Sequence, residues 1–238
     1  MIPKVIVQTH RNQSIGAEYR KTWMDQNPEF EYRFFDDNDV RGFLVENMPR
    51  LVPVFDKLPH PVQRADLFRY AYVYQYGGVY SDVDTVCEAN LASYIDFNQE
   101  ALVVGIEMSP GDYKFGLEQY TRQYTSPFQV LQWTFASSPK HPALATMLDR
   151  IRFYVNTLTV EQLKSWSRVD RFTLELTGPM MFSQVVFDCL SGARRGKVEL
   201  LGQSIWGYNP WHNHSVSETD ETIKVRHLFH GSWKQAQG

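Results

Sequence analysis

The sequence is poor in the features that would announce a scaffold or a compartment. Among 238 residues only Cys87 and Cys189 are cysteine. Neither a disulfide framework nor a cysteine zinc site is therefore encoded, and whether the two pair is open. No apolar run approaches the length of a membrane span, and the run in "MIPKVIVQTH" is too short for a secretory signal, so a soluble chain is expected. Positive charge is in deficit: 24 Lys and Arg against 27 Asp and Glu leave a net charge of -3. Binding a nucleic-acid backbone needs a cationic face, so nucleic acid is not an expected partner and any phosphate site must be local. Repeats, low-complexity tracts and linker-like gatherings of glycine and proline are missing too. Residues 1–238 are accordingly expected to form one domain.

What is present is a large apolar fraction, 43%, with 14% aromatic residues, which suits one sizeable core and is compatible with stacking on sugar or base rings. "KVIVQT", Lys4 to Thr9, reads as a buried strand. "EYRFFDD" reads as a second strand ending in acids that can cap a helix from about Asp39 to Asn47. "PVQRADLFRYAYVYQYGG" opens on Pro61 and stops at Gly77 and Gly78, the punctuation of a helix of about four turns. "GVYSD", "ALVVGIE", "VLQWTFAS", "VELL" and "KVRHLF" read as strands, and "HPALATMLDRIRFYVNTL" as a long amphipathic helix. Strands alternating with helices predict an α/β fold whose central sheet is largely parallel, with helices on both faces. Ligands bind such sheets beyond the carboxyl ends of the strands.

That rule singles out "YGGVYSDVDT". Asp82 and Asp84 leave the end of the predicted strand two residues apart, so in extended backbone both side chains point the same way. Two carboxylates so close repel unless a cation lies between them, and Mg²⁺ or Mn²⁺ takes such oxygen ligands. Aspartates are also ordinary turn residues after a strand. Asp66 and Arg69, three apart in the preceding helix, share a face, a spacing that equally suits a helix-surface salt bridge. Glu107 ends the strand "ALVVGIE" on the presumed cleft side and is a candidate for an acceptor site. His212 and His214 in "WHNH" read as an exposed loop.

In order along the chain, "IPKVIVQTH", "RADLFRYAYVYQYGGVYSDVDT", "QWTFASSPKHP", "LTGPMMF" and "HLFHGSW" resemble the signature blocks of glycosyltransferase family 32, which includes fungal initiation-specific α-1,6-mannosyltransferases and inositol-phosphoceramide mannosyltransferases. The resemblance implies a GT-A type fold with a Rossmann-related, mostly parallel sheet. It also implies a divalent metal, Mn²⁺ or Mg²⁺, and a retaining transfer of a hexose from a nucleotide sugar, GDP-mannose in the first place and a UDP-sugar in the second, to a glycan or glycolipid. By the same resemblance, Asp82, Asp84 and His227 are the metal ligands, and Asp66, Asp82 and Asp84 are catalytic. Thr9, His10, Asp66, Arg69, Tyr80, Asp82, Ser232 and Trp233 would face the donor. Thr177 and Gly178, in the family's T-G-P turn, join Glu107 as acceptor candidates. The sequence departs from the family at His10, where a Trp is usual, and at Leu228, where a second histidine often follows the first. His227 and His230, three apart on a strand end, point in opposite directions, and His227 is the one that matches.

Two other classes fit parts of the pattern. "VYSDVDTV" resembles the aspartyl-phosphate motif of haloacid-dehalogenase phosphatases, although it falls a third of the way along the chain rather than on the first strand. A carbohydrate-binding protein that kept the fold without catalysis is the other.

Overall fold

The structure, a computed structural model, describes residues 1–124, 126–193, 195–209, 217 and 219–230. The chain begins with β1 (Val5–Thr9), α1 (Ala17–Gln26), β2 (Glu31–Phe35) and α2 (Asp37–Asn47). Asp36 caps α2 by accepting from the backbone of Asn38 and Asp39, and Asp39 returns the bond to the Asp36 backbone, so the acids after the second strand do start a helix. A short 3₁₀ turn leads to α3 (Val52–Lys57), then α4 (Pro61–Tyr76), β3 (Gly78–Ser81) and β4 (Thr85–Cys87). The remainder runs β5 (Leu102–Met108), α5 (Gly116–Gln123), β6 (Gln129–Ser137), α6 (Pro142–Thr157), α7 (Val160–Trp166), α8 (Asp170–Leu176), α9 (Pro179–Leu190), β7 (Val198–Leu201) and β8 (Val225–His227).

Six strands form one sheet in the order β2-β1-β3-β6-β5-β7. β1 pairs parallel with β2 and β3, and β5 with β7. β6 runs against both of its neighbours, β3 and β5. The sheet is therefore mostly parallel with one reversed strand inside it. Alternate residues of these strands feed two cores. On one face Val7, Tyr80, Leu102, Val104 and Phe135 pack under α2, α3, α4, α6 and α9. On the other Ile6, Val79, Val103, Leu131 and Trp133 meet Trp23 of α1, Trp206 and Val225. Cys87 and Cys189 are buried in opposite cores, so no disulfide joins them to each other.

The helix read from Pro61 to the paired glycines is α4, and it buries residues almost all round, including Leu67, Phe68, Tyr70, Ala71 and Val73. Its exit explains the glycines. Gly77 and Gly78 have φ of 70° and 103°, and a Cβ on Gly78 would lie 2.7 Å from the Val5 carbonyl. Only a residue without a side chain turns straight out of the helix into a strand pressed against β1.

One expected strand sits elsewhere. The "KVRHLF" segment does not join the main sheet: β8 pairs antiparallel with β4 in a separate two-stranded ribbon, with Thr85 opposite His227. Three residues are too few to show which partner they seek, and this pairing places the end of the chain's last described strand against Asp84.

Candidate active site

β3 ends at Ser81, and the two acids follow at the carboxyl end of a central strand. The Asp82 backbone is held on three sides. Its N–H donates to the Trp133 carbonyl at 2.7 Å, and its carbonyl accepts from Gln8 Nε2 at 2.9 Å and Thr85 Oγ1 at 2.6 Å. One oxygen of Asp82, Oδ1, takes the Tyr80 hydroxyl at 2.7 Å and the Arg69 guanidinium at 3.2 Å. Asp84 Oδ1 meets His227 Nε2 at 3.2 Å, and its Oδ2 accepts from the His230 backbone N–H at 3.1 Å. Ligand-type atoms of Asp82, Asp84 and His227 all lie within 4.8 Å of one another.

Behind this cluster lies a buried polar network. Arg69 and Asp66 are 4% and 1% exposed, so the pair is not a surface salt bridge but an internal one, at 3.0 Å. Asp66 also accepts from Gln132 Nε2 at 3.1 Å and from the Thr177 hydroxyl at 2.7 Å. Arg69 donates to the Gln132 carbonyl at 2.9 Å, and its guanidinium lies 4.6 Å from the Tyr80 ring centre. Arg69 therefore bridges Asp66 and Asp82, one cation between two anions. A single buried carboxylate would be costly, and this arrangement compensates it with a charge and hydrogen bonds together.

The carboxyl groups are tuned apart. Burial pushes Asp66 up to about 6 against the pull of Arg69, Thr177 and Gln132, and burial likewise raises Asp82. Asp84 goes the other way. Burial opposes its ionisation, but the His227 hydrogen bond and charge and the His230 N–H outweigh it and hold the carboxyl at about 2. Burial raises Glu107.

His227 is held by rings. Trp133 stacks on it at 4.8 Å between centroids and 24° between planes, and Phe229 lies at 4.0 Å. The ring of His230 turns instead toward Tyr19, at 5.8 Å. Asp66, Arg69, Tyr80, Asp82, Asp84, Thr177 and His227 thus come together as the sequence predicts. Gly178 follows Thr177 as the cap of α9. Thr9 and His10 close β1, where Thr9 donates to the Phe35 carbonyl and His10 turns its ring to the Asn12 backbone. Glu107 has its carboxylate turned inward, taken by Gln129 Nε2 at 2.7 Å and the Trp133 indole N–H at 3.3 Å. Ser232, Trp233, His212 and His214 lie outside the described residues.

The sequence did not single out Gln8 and Gln132. Gln132 is the one residue of β6 that is not buried, and its signal was a lone amide before "WTFAS" in an apolar strand. Gln8, fully buried, looked like part of the β1 core.

The donor set suits a hard divalent ion: two carboxylates and one imidazole, convergent at a strand end. Asp84 stays ionised at neutral pH, and with His227 Nε2 3.2 Å from its Oδ1 the two would offer ligand atoms to such an ion together.

Residues 16–101 match the glycosyltransferase sugar-binding region containing the DXD motif. The chain is similar to the initiation-specific α-1,6-mannosyltransferase of Schizosaccharomyces pombe, 26% identical over 98% of this chain and 64% of that protein. To the Candida albicans enzyme of the same name it is 30% identical, over 91% of this chain and 66% of that protein. Inositol phosphoceramide mannosyltransferase 2 of S. pombe is 37% identical over 40% of this chain and 28% of that protein. The chain thus spans slightly less than two thirds of the initiation-specific relatives. Among solved structures it is similar in fold to the PaToxG glycosyltransferase, with a TM-score of 0.54 and 15% identity over 80% of this chain and 71% of that one.

Proposed function

We propose that this chain, which belongs to the glycosyltransferases whose sugar-binding region contains the DXD motif, transfers mannose from GDP-mannose to a glycan or glycolipid acceptor with the help of Mn²⁺ or Mg²⁺. The observation that carries the reading is the convergence of Asp82, Asp84 and His227 beside the buried Asp66–Arg69 pair. Mannose is favoured because the relatives above are named as mannosyltransferases.

The ion, when bound, supplies positive charge against the diphosphate leaving group. The chain's own residues do the rest. Asp84 and His227 hold their ligand atoms toward one point, and Asp82 has Oδ2 free of the bonds that Oδ1 makes to Tyr80 and Arg69. Arg69 and Asp66 offer charged, pre-oriented groups to the hydroxyls of the donor sugar, and the buried network fixes them without further reorganisation. Thr9 and His10, at the end of β1, would face the donor base. Asp66 is a poor nucleophile, since one of its oxygens is taken by Arg69 and Gln132 and the other by Thr177. We therefore read the reaction as a front-face substitution with retention. The leaving diphosphate oxygen accepts the proton of the attacking hydroxyl on the side from which it departs.

Calorimetric titration of GDP, UDP and their sugars, with Mn²⁺ and again with EDTA, tests this on wild type and Asp84→Ala. The expected result is metal-dependent binding of GDP that Asp84→Ala abolishes. Binding of UDP alone moves the donor to a UDP-sugar, and binding of neither nucleotide with metal present ends the reading.

A further inference from the structure

Glu107 is 6% exposed, at the end of β5, and its hydrogen-bond donors are neutral. Gln129 gives an amide N–H to one oxygen, and Trp133 gives its indole N–H to the other. Asn209 adds a third side-chain hydrogen bond, so the carboxyl group acts as an acceptor throughout. A buried anion held this way is expensive. Its effect is felt one step further on. The indole N–H is the only polar atom of the Trp133 side chain, so the bond to Glu107 selects the ring's orientation. The face so presented stacks on His227 at 24°, and Phe229 lies 4.0 Å from the imidazole and 6.4 Å from the indole, against the flank of the pair. The imidazole lies against both rings with Nε2 turned to Asp84.

We infer that Glu107 is a positioning residue for His227: its carboxylate locks the Trp133 indole, and the indole face keeps the imidazole directed at the Asp82–Asp84 cluster. Glu107 then works from behind the site and is not a contact for the acceptor. The inference rests on the reading of His227 as a metal ligand, but its geometric half stands independently of any ion. In other metal sites, groups that orient a ligating histidine from the second layer change metal affinity by about 10- to 100-fold when removed.

The test uses two substitutions in the full chain. Glu107→Gln keeps the volume but turns an NH₂ toward donors that now meet a carboxyl oxygen. Trp133→Phe keeps a ring against His227 but removes the N–H that Glu107 holds. Mn²⁺ alone is titrated by calorimetry, and the imidazole resonances of His227 are followed by NMR in metal-free protein, with those of His60 and His141 as internal references. The expected result is Mn²⁺ binding weakened about 10- to 100-fold in both variants, with the His227 resonances of Glu107→Gln displaced while the reference histidines stay in place. Mn²⁺ affinity within about twofold of wild type in both variants, with His227 resonances unmoved in a Glu107→Gln of unchanged far-ultraviolet circular dichroism, overturns it. Should Glu107→Gln lose its fold, Trp133→Phe decides alone. If wild type binds no Mn²⁺, the proposed function loses its metal, and the His227 resonances still decide the positioning role.

Discussion

Asp66 is an acid kept where water does not reach, and its environment predicts a pH dependence. Its carboxyl stands at about 6 when folded against 3.8 when free, so the folded chain binds the extra proton between these values. Stability from this group is greatest below about pH 4, falls as pH rises through about 6, and is flat above. Asp66→Asn tests this cleanly. The amide oxygen can still accept from Arg69 and Gln132, the new NH₂ can donate to the Thr177 hydroxyl, and Arg69 keeps Asp82 as counter-ion. Urea denaturation across pH 4 to 8 should show this part of the slope abolished in the variant, with stability at pH 8 no lower than wild type. Transfer activity should fall by about 100-fold or more, since the buried anion that pairs with Arg69 behind Asp82 is gone. A variant that is strongly destabilised at pH 8 would mean that Asp66 is a net stabiliser, contrary to its raised value. The spacing of Asp66 and Arg69 was legible as a shared helix face, and the strand-end pair Asp82 and Asp84 as a site. Burial was not: an i, i+3 ion pair looks the same on a wet helix as inside a core, and only the packing of β6 and the Thr177 turn tells them apart.

At the scale of elements, α4 and β3 were plain because proline, paired glycines and an apolar run mark both ends. The β4–β8 ribbon was not. Its strands are three residues each, and what fixes them is partnership rather than periodicity. Glu88 N–H bonds to the Lys224 carbonyl and Leu228 N–H to the Asp84 carbonyl, which by antiparallel alternation puts the Arg226 N–H in the ladder too. The ribbon is therefore the device that carries His227 to Asp84, and it lies outside the main sheet. Arg226→Pro removes that N–H and cannot be accommodated mid-ladder. The main sheet and both cores should survive, so far-ultraviolet circular dichroism should change little, while Mn²⁺ binding measured by calorimetry should be lost at concentrations that saturate wild type. Retained Mn²⁺ affinity would show that the ribbon does not position the histidine.

Across the whole molecule the question is why a chain with net charge -3 would receive a diphosphate at all. The answer lies in where the charges stand. One guanidinium is shared by Asp66 and Asp82, and the ligand atoms of Asp82, Asp84 and His227 converge beside it, so on the proposed function the attraction for a nucleotide would be switched on locally by an ion and not spread over a surface. The alternation of strands and helices was enough to foresee this geography, because it puts strand ends on one side of the sheet. The reversed direction of β6 was not foreseeable, since a strand apolar on both faces reads the same either way. A site assembled from β1, α4, β3, β6, the turn before α9 and β8 ties most of the fold to its ligand. Binding to the native state alone stabilises it by about 2.7 kcal/mol at a ligand concentration near 100 Kd. For a chain of this length that corresponds to a rise in Tm of about 5–10 °C. Differential scanning fluorimetry should therefore show a shift of this size for GDP with Mn²⁺, little for GDP in EDTA, and none for GDP with Mn²⁺ in Asp84→Ala. An equal rise in EDTA would place the nucleotide on Arg69 without the ion, and the acid pair would then need another role.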